Sequence, residues 1–123
     1  MRVKPAVLTK VLNNMTLKVY TAQYQYEGMN RLDITVKTGL LMFAPTWEMV
    51  MDYKKKKITK EKYTELYYEK MRKSYKTYTD IWRWLLRQDK VVLVCFCKRG
   101  EFCHRYLLKD MLVKLGATYM GEC

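Results

Sequence analysis

VVLVCFCKRGEFCHR, residues Val91 to Arg105, carries more structural and chemical information than any other part of the chain. Its first seven residues are apolar, too few for a lone helix and rich in β-branched types, which predicts a buried strand. Alternation along that strand puts Cys95 and Cys97 on one face and Phe96 on the other. A tight turn follows, then a helix from Phe102 to Leu115 with Leu107, Leu108, Met111, Leu112 and Leu115 as its apolar face. Gly116 is placed to end it. Cys103, His104 and Arg105 then fall in the first helical turn, where unpaired backbone N–H groups and the helix dipole favour negative charge. Three of the four cysteines and the only histidine meet at this corner.

Working outward, Leu17 to Tyr24 is dense in strand-favouring residues and predicts a first core strand, with Gln25 to Arg31 as the loop at its end. Leu32 to Thr38 reads as a second strand stopped by Gly39. Pro45 suits the first turn of a short helix carrying Trp47, Val50 and Met51. Tyr63, Leu66, Tyr67, Met71 and Tyr75 recur at helical steps, with Thr59 as the expected N-cap. A further helix over about Tyr78 to Arg87 presents Ile81, Trp82, Leu85 and Leu86. Ala117 to Met120 is a short last strand, and Gly121 to Cys123 a tail. Residues 1–14 read as a lead-in.

Strands separated by helices predict one α/β domain spanning residues 1–123. The expected architecture is a compact three-layer, Rossmann-like sandwich, with a mostly parallel sheet and helices on both faces. In such sheets ligands gather beyond the carboxyl ends of the strands, which is where the Cys97-to-Arg105 corner lies.

A chain of 123 residues is long enough to hold a core without staples. Neither a secretory leader nor an apolar run of about 18 residues is visible, so the expected setting is cytosolic, with no membrane partner. Cysteines there stay reduced, which favours metal binding, catalysis or simple burial over disulfides. Twenty-four Lys and Arg against twelve Asp and Glu give a net charge of +12, which points to an anionic partner or to a solvated lysine surface. The run Lys54, Lys55, Lys56 and Lys57 fits either a phosphate-tracking patch or a helix end followed by a solvated loop.

Three chemistries fit the corner. Cys95, Cys97, Cys103 and His104 are donors soft enough for zinc, but their spacing lacks the usual paired loops. Cys103 and His104, if both helical, also point about 100° apart. The expectation is therefore no resident metal or cofactor, with zinc left open. A phosphatase or rhodanese loop needs an arginine where Cys103 stands, and Arg105 comes two residues late. A looser thiol site remains, with Cys97 as a depressed-pKa thiolate, Arg105 as anion clamp and His104 as acid or base. In the third reading Cys95, Cys97 and Cys103 are small core residues.

The segment Cys95-Phe-Cys97-Lys-Arg-Gly-Glu-Phe-Cys103-His104-Arg105-Tyr-Leu-Leu resembles the signature of the YeaO-like family of small bacterial and viral proteins. Further similarity runs through Tyr20-Thr21, Asp33-Ile-Thr-Val, Phe43-Ala-Pro-Thr-Trp47, Tyr63 to Tyr75 and Gly116 to Gly121-Glu122, covering residues 17–122. The resemblance implies a compact α/β domain of unknown function with the Cys-His-Arg corner as its centre. It supplies no substrate.

The leading expectation is a site for an anionic small molecule or nucleotide, with Cys97, Cys103, His104 and Arg105 as candidate catalytic residues. Thr21, Tyr24, Asp33, Thr35, Lys98 and Arg99 are weaker candidates for binding. The rivals are a basic nucleic-acid-binding protein using Lys54 to Lys57, and an interaction protein without catalysis. Oligomeric state is not readable from the sequence.

Overall fold

A computed structural model describes residues 16–123, so the expected lead-in lies outside the described residues. Strands β1 (Lys18–Gln23), β2 (Arg31–Asp33), β3 (Lys90–Cys95) and β4 (Thr118–Glu122) form one sheet in the order β2-β3-β1-β4, parallel at every pairing. Four helices are described: α1 (Trp47–Lys54), α2 (Lys60–Thr77), α3 (Thr79–Leu86) and α4 (His104–Lys114). The class is the expected one, a parallel α/β domain of Rossmann-like type.

β3 is an inner strand, and its last five residues are all buried, as its unbroken apolar sequence requires. Its odd-numbered residues Val91, Leu93 and Cys95 lie in register with Val19, Thr21 and Gln23 of β1. They face the main core, where Trp82 of α3 and Leu108 and Leu112 of α4 pack. Val92 and Val94 point the other way, cluster with Ala22, and are buried too. Both faces of the central strand are therefore covered.

β2 covers only Arg31–Asp33, shorter than the expected Leu32 to Thr38. Asp33 ends it, because its carboxylate accepts hydrogen bonds from the Thr35 N–H (2.9 Å) and the Thr38 hydroxyl (2.5 Å). The turn closes through Gly39 N–H to Thr35 O and Leu40 N–H to Asp33 O, both 3.0 Å. A Cβ on Gly39 would lie 2.6 Å from the carbonyl oxygens of Asp33 and Thr35, so glycine is there for close backbone approach. Pro45 does not begin α1, since the Thr46 hydroxyl caps it by accepting from Met49 N–H at 3.1 Å. Thr59 caps α2 as expected, accepting from Lys62 N–H at 3.0 Å.

α4 starts at His104 instead of Phe102, and Cys103 is its N-cap with extended backbone (φ −156°, ψ 146°). The connecting loop uses the additional residues for a turn, with Gly100 at φ +80° and Glu101 N–H bonded to Lys98 O. Gly116, at φ +110°, ends α4. The expected tail is part of the sheet: β4 runs on to Glu122, pairing Thr21 with Glu122 after a register shift. None of the described helices is long and apolar enough to cross a membrane.

Candidate functional site

The carboxyl end of β3, the loop after it and the first turn of α4 stay together because Arg105 binds them from within. Its guanidinium is 0% exposed. Nε and Nη2 donate to the two Glu122 carboxylate oxygens at 3.2 and 3.0 Å. Nη1 donates to Cys97 O at 2.9 Å and to the Cys95 sulfur at 3.0 Å, and Nη2 also reaches Lys98 O and the Tyr106 hydroxyl. Tyr106 donates in turn to Glu122 at 2.6 Å. Burial alone would raise the Glu122 carboxyl, but hydrogen bonds from Arg105, Thr21 and Tyr106 hold it below the usual range. Arg105 was expected as an anion clamp. All five of its N–H donors are committed to protein acceptors, so it supports the loop instead.

On the other side of this support lies a cavity of about 590 Å³. Its floor is formed by Cys95, Cys97, Cys103 and His104, and its walls by Trp47, Tyr53, Tyr63, Phe96 and Phe102. Lys37, Lys54 and Glu101 add charge to its lining. Tyr53, Tyr63 and Phe102 pack on one another with ring centres 5.3 to 5.5 Å apart, giving a preformed aromatic wall.

His104 is almost fully buried, and its Nε2 lies 2.6 Å from Ile34 O. A carbonyl only accepts, so Nε2 carries the proton and Nδ1 is bare, facing the Cys103 sulfur at 3.9 Å. Burial pushes the imidazole down to about 4, with the Ile34 bond opposing, so it is neutral at pH 7. The structure pairs the Cys95 and Cys103 sulfurs as a disulfide, against the expectation of reduced cysteines, although their Cα atoms are 7.9 Å apart, wider than the roughly 7 Å limit for a bridge without backbone movement. Cys95, Cys103 and His104 are the described residues whose donor atoms could hold a metal ion, all within 4.8 Å of one another. The angular objection to zinc is removed, because Cys103 is an extended N-cap and not a helical neighbour of His104.

Cys97 is a free, half-buried thiol lining the cavity. Burial raises its pKa more than Arg105 lowers it, so the expected depressed-pKa thiolate is not what its surroundings produce. Of the weaker candidates, Thr35 and Lys54 line the cavity. Thr21 is buried in the sheet, 2.6 Å from the Tyr119 hydroxyl, and Asp33 is used up in its turn. Tyr24 stacks on Phe96 with centres 4.2 Å apart. Lys98 and Arg99 are exposed on the loop outside the cavity lining, and Lys55, Lys56 and Lys57 are exposed past α1.

Sequence reasoning missed Glu122, Tyr106 and the aromatic wall. Glu122 had one signal, its place in the Gly121-Glu122 pair of the resemblance. The wall had none, because its rings come from three separate segments.

The buried neutral imidazole predicts acid lability. An unfolded histidine takes a proton near pH 6.5, whereas folded His104 resists until about 4. Stability supplied by the neutral ring is whole above pH 6.5 and is lost as pH falls toward 4, by about 3 kcal/mol. Urea melts at pH 7, 5.5 and 4 with a chelator present read this directly. His104→Gln should lose most of the slope between pH 6.5 and 4, and an unchanged slope contradicts the assignment.

A parallel α/β fold with a Cys-His-Arg corner at its strand ends defines the class. The chain matches the family model DUF488-N3a, described as the active DUF488-N3 subclade, over residues 5–116, and it belongs to that family. No curated protein and no solved structure matches it.

Proposed function

We infer that the protein binds a planar, anionic small molecule, with a nucleotide as the type, in the cavity at the carboxyl ends of β2 and β3. The observation that carries this is the composition of one concavity: an aromatic wall, lysines among its lining residues and a floor of cysteine sulfurs with a neutral histidine. Aromatic rings stack on bases with about 1–3 kcal/mol each, and Lys37 and Lys54 supply point charges for a phosphate. The position agrees with the rule for parallel sheets. The subclade's description as active favours catalysis over binding alone. Cys97 is then the candidate nucleophile, since it is the free thiol lining the cavity.

Calorimetric titration with adenosine, guanosine, cytidine and uridine monophosphates tests the reading. One ligand should bind one per chain. The double substitution Lys37→Ala, Lys54→Ala should weaken it about tenfold, the equivalent of about 1.4 kcal/mol. Absence of binding by all four, or binding unchanged in the double variant, refutes it.

The exposed Lys55 to Lys57 run, continuous with Lys54 at the cavity, favours nucleic acid as the second reading. DNA or RNA affinity would then fall by orders of magnitude between low and moderate salt.

A further inference from the structure

We propose that Cys95, Cys103 and His104 form a Cys2His site for one zinc ion in the cavity floor, with its fourth coordination position open to the cavity. The donor set is the first support. Two thiolates and an imidazole match zinc's preferences, and their three ligand atoms already lie within 4.8 Å of one another. Tetrahedral zinc with bonds of about 2.3 Å to sulfur separates two sulfurs by about 3.8 Å. The 7.9 Å between the Cys95 and Cys103 Cα atoms is too wide for a relaxed disulfide but leaves room for two thiolates on one ion.

The surroundings are the second, independent support. His104 donates its Nε2 proton to Ile34 O at 2.6 Å, the outer bond that fixes the tautomer of a metal-bound histidine and leaves Nδ1 to ligate. The Cys95 sulfur accepts from the Arg105 guanidinium at 3.0 Å, a bond that favours thiolate over thiol. Charge also balances. Once a thiol reductant has given two electrons to the Cys95–Cys103 pair and become a disulfide itself, zinc binding releases the two thiol protons to solvent, and two thiolates with a neutral imidazole neutralise the 2+ ion where it is buried.

Cys97 lies outside the three-donor set, so three protein ligands and one open position result, the arrangement of catalytic zinc sites. All three donors line the cavity floor. That the open position receives the ligand rests on the cavity reading above; occupancy of the three donors does not.

The test is metal content of protein purified under reducing conditions and dialysed against buffer containing zinc, then against metal-free buffer. About one zinc per chain is expected in the wild type and in Cys97→Ala, and less than a tenth of that in Cys103→Ala and His104→Ala. Cobalt substitution of the wild type should show thiolate-to-cobalt charge-transfer absorption, which decides the matter if the donor variants fail to fold. Metal-free protein with free thiols overturns the site, as does a mass two units low from a Cys95 to Cys103 disulfide. Loss of metal from Cys97→Ala as complete as from Cys103→Ala overturns the donor set. One zinc per chain together with no nucleotide binding leaves the site standing and removes the nucleotide reading.

Discussion

Arg105→Met is expected to destabilise the protein by about 3–5 kcal/mol, measured by urea denaturation at pH 7. Methionine fills much of the arginine volume, so the loss comes from unpaired polar groups more than from a void. Glu122 would keep a carboxylate that is only 8% exposed and has lost its cation. The carbonyls of Cys97 and Lys98 and the Cys95 sulfur would lose their donor together. Breaking one side of a buried ion pair has this cost because the remaining charge stays desolvated. Glu122→Gln is the comparison: it keeps an acceptor for Arg105 and a group within reach of Tyr106, and should cost roughly half as much. Its effect should also vanish at low pH, where the wild-type carboxyl is itself protonated. Glu122 has a depressed pKa, so its contribution is present above the ordinary carboxylate value of 4.5 and is lost as pH falls below it. Equal, small losses for both variants at pH 7 would mean the network carries no load.

The second large effect is Trp82→Ala, expected to cost about 3–5 kcal/mol. Trp82 is fully buried and meets Phe43 and Tyr75 edge-on, with centres 5.0 and 5.6 Å away. Its Nε1 donates to the Ser74 hydroxyl at 3.0 Å, and that hydroxyl donates to Met42 O at 2.7 Å. Tyr67 donates to Phe43 O at 2.8 Å, and Lys70 to the carbonyls of Leu41 and Ala44. Residues 40–44 lie between the β2 turn and α1, so these bonds hold the segment leading into α1 against α2. Trp82→Phe keeps the packing but drops the indole N–H, and should cost less than half as much. If Trp82→Ala is tolerated within about 1 kcal/mol, the packing account of this corner is wrong.

The strand and helix around the Cys-His-Arg corner were legible because two strong periodicities meet there: the unbroken apolar run of β3 and the leucine face of α4. Gly116 and Thr59 were legible because backbone geometry at helix ends restricts the choice of residue. β2 was misread in length because its apolar pattern continues through Ile34 and Val36. What ends it is the pair of hydrogen bonds that the Asp33 carboxylate accepts from the Thr35 N–H and the Thr38 hydroxyl, which compete with the ladder and leave no mark on hydrophobic periodicity. The start of α4 was misplaced by two residues for a related reason, and that shift changed the chemistry. It turned Cys103 from a helical neighbour of His104 into an extended cap, bringing donors together that helical geometry would have kept apart. Arg105 was correctly placed in the corner and given the wrong task. Its partner Glu122 is 17 positions away and joins it only after β4 pairs with β1, which no local pattern announces.

Whether the cavity between α1, the β2 turn and the Cys-His corner is where this chain meets its ligand is read by mapping amide shifts on adding the tightest-binding nucleoside monophosphate. Saturable, one-to-one changes concentrated at Thr35 to Lys37, Trp47 to Lys54 and Cys97 to His104 are expected. Changes confined to Lys55, Lys56 and Lys57, or none at saturating nucleotide, would contradict it.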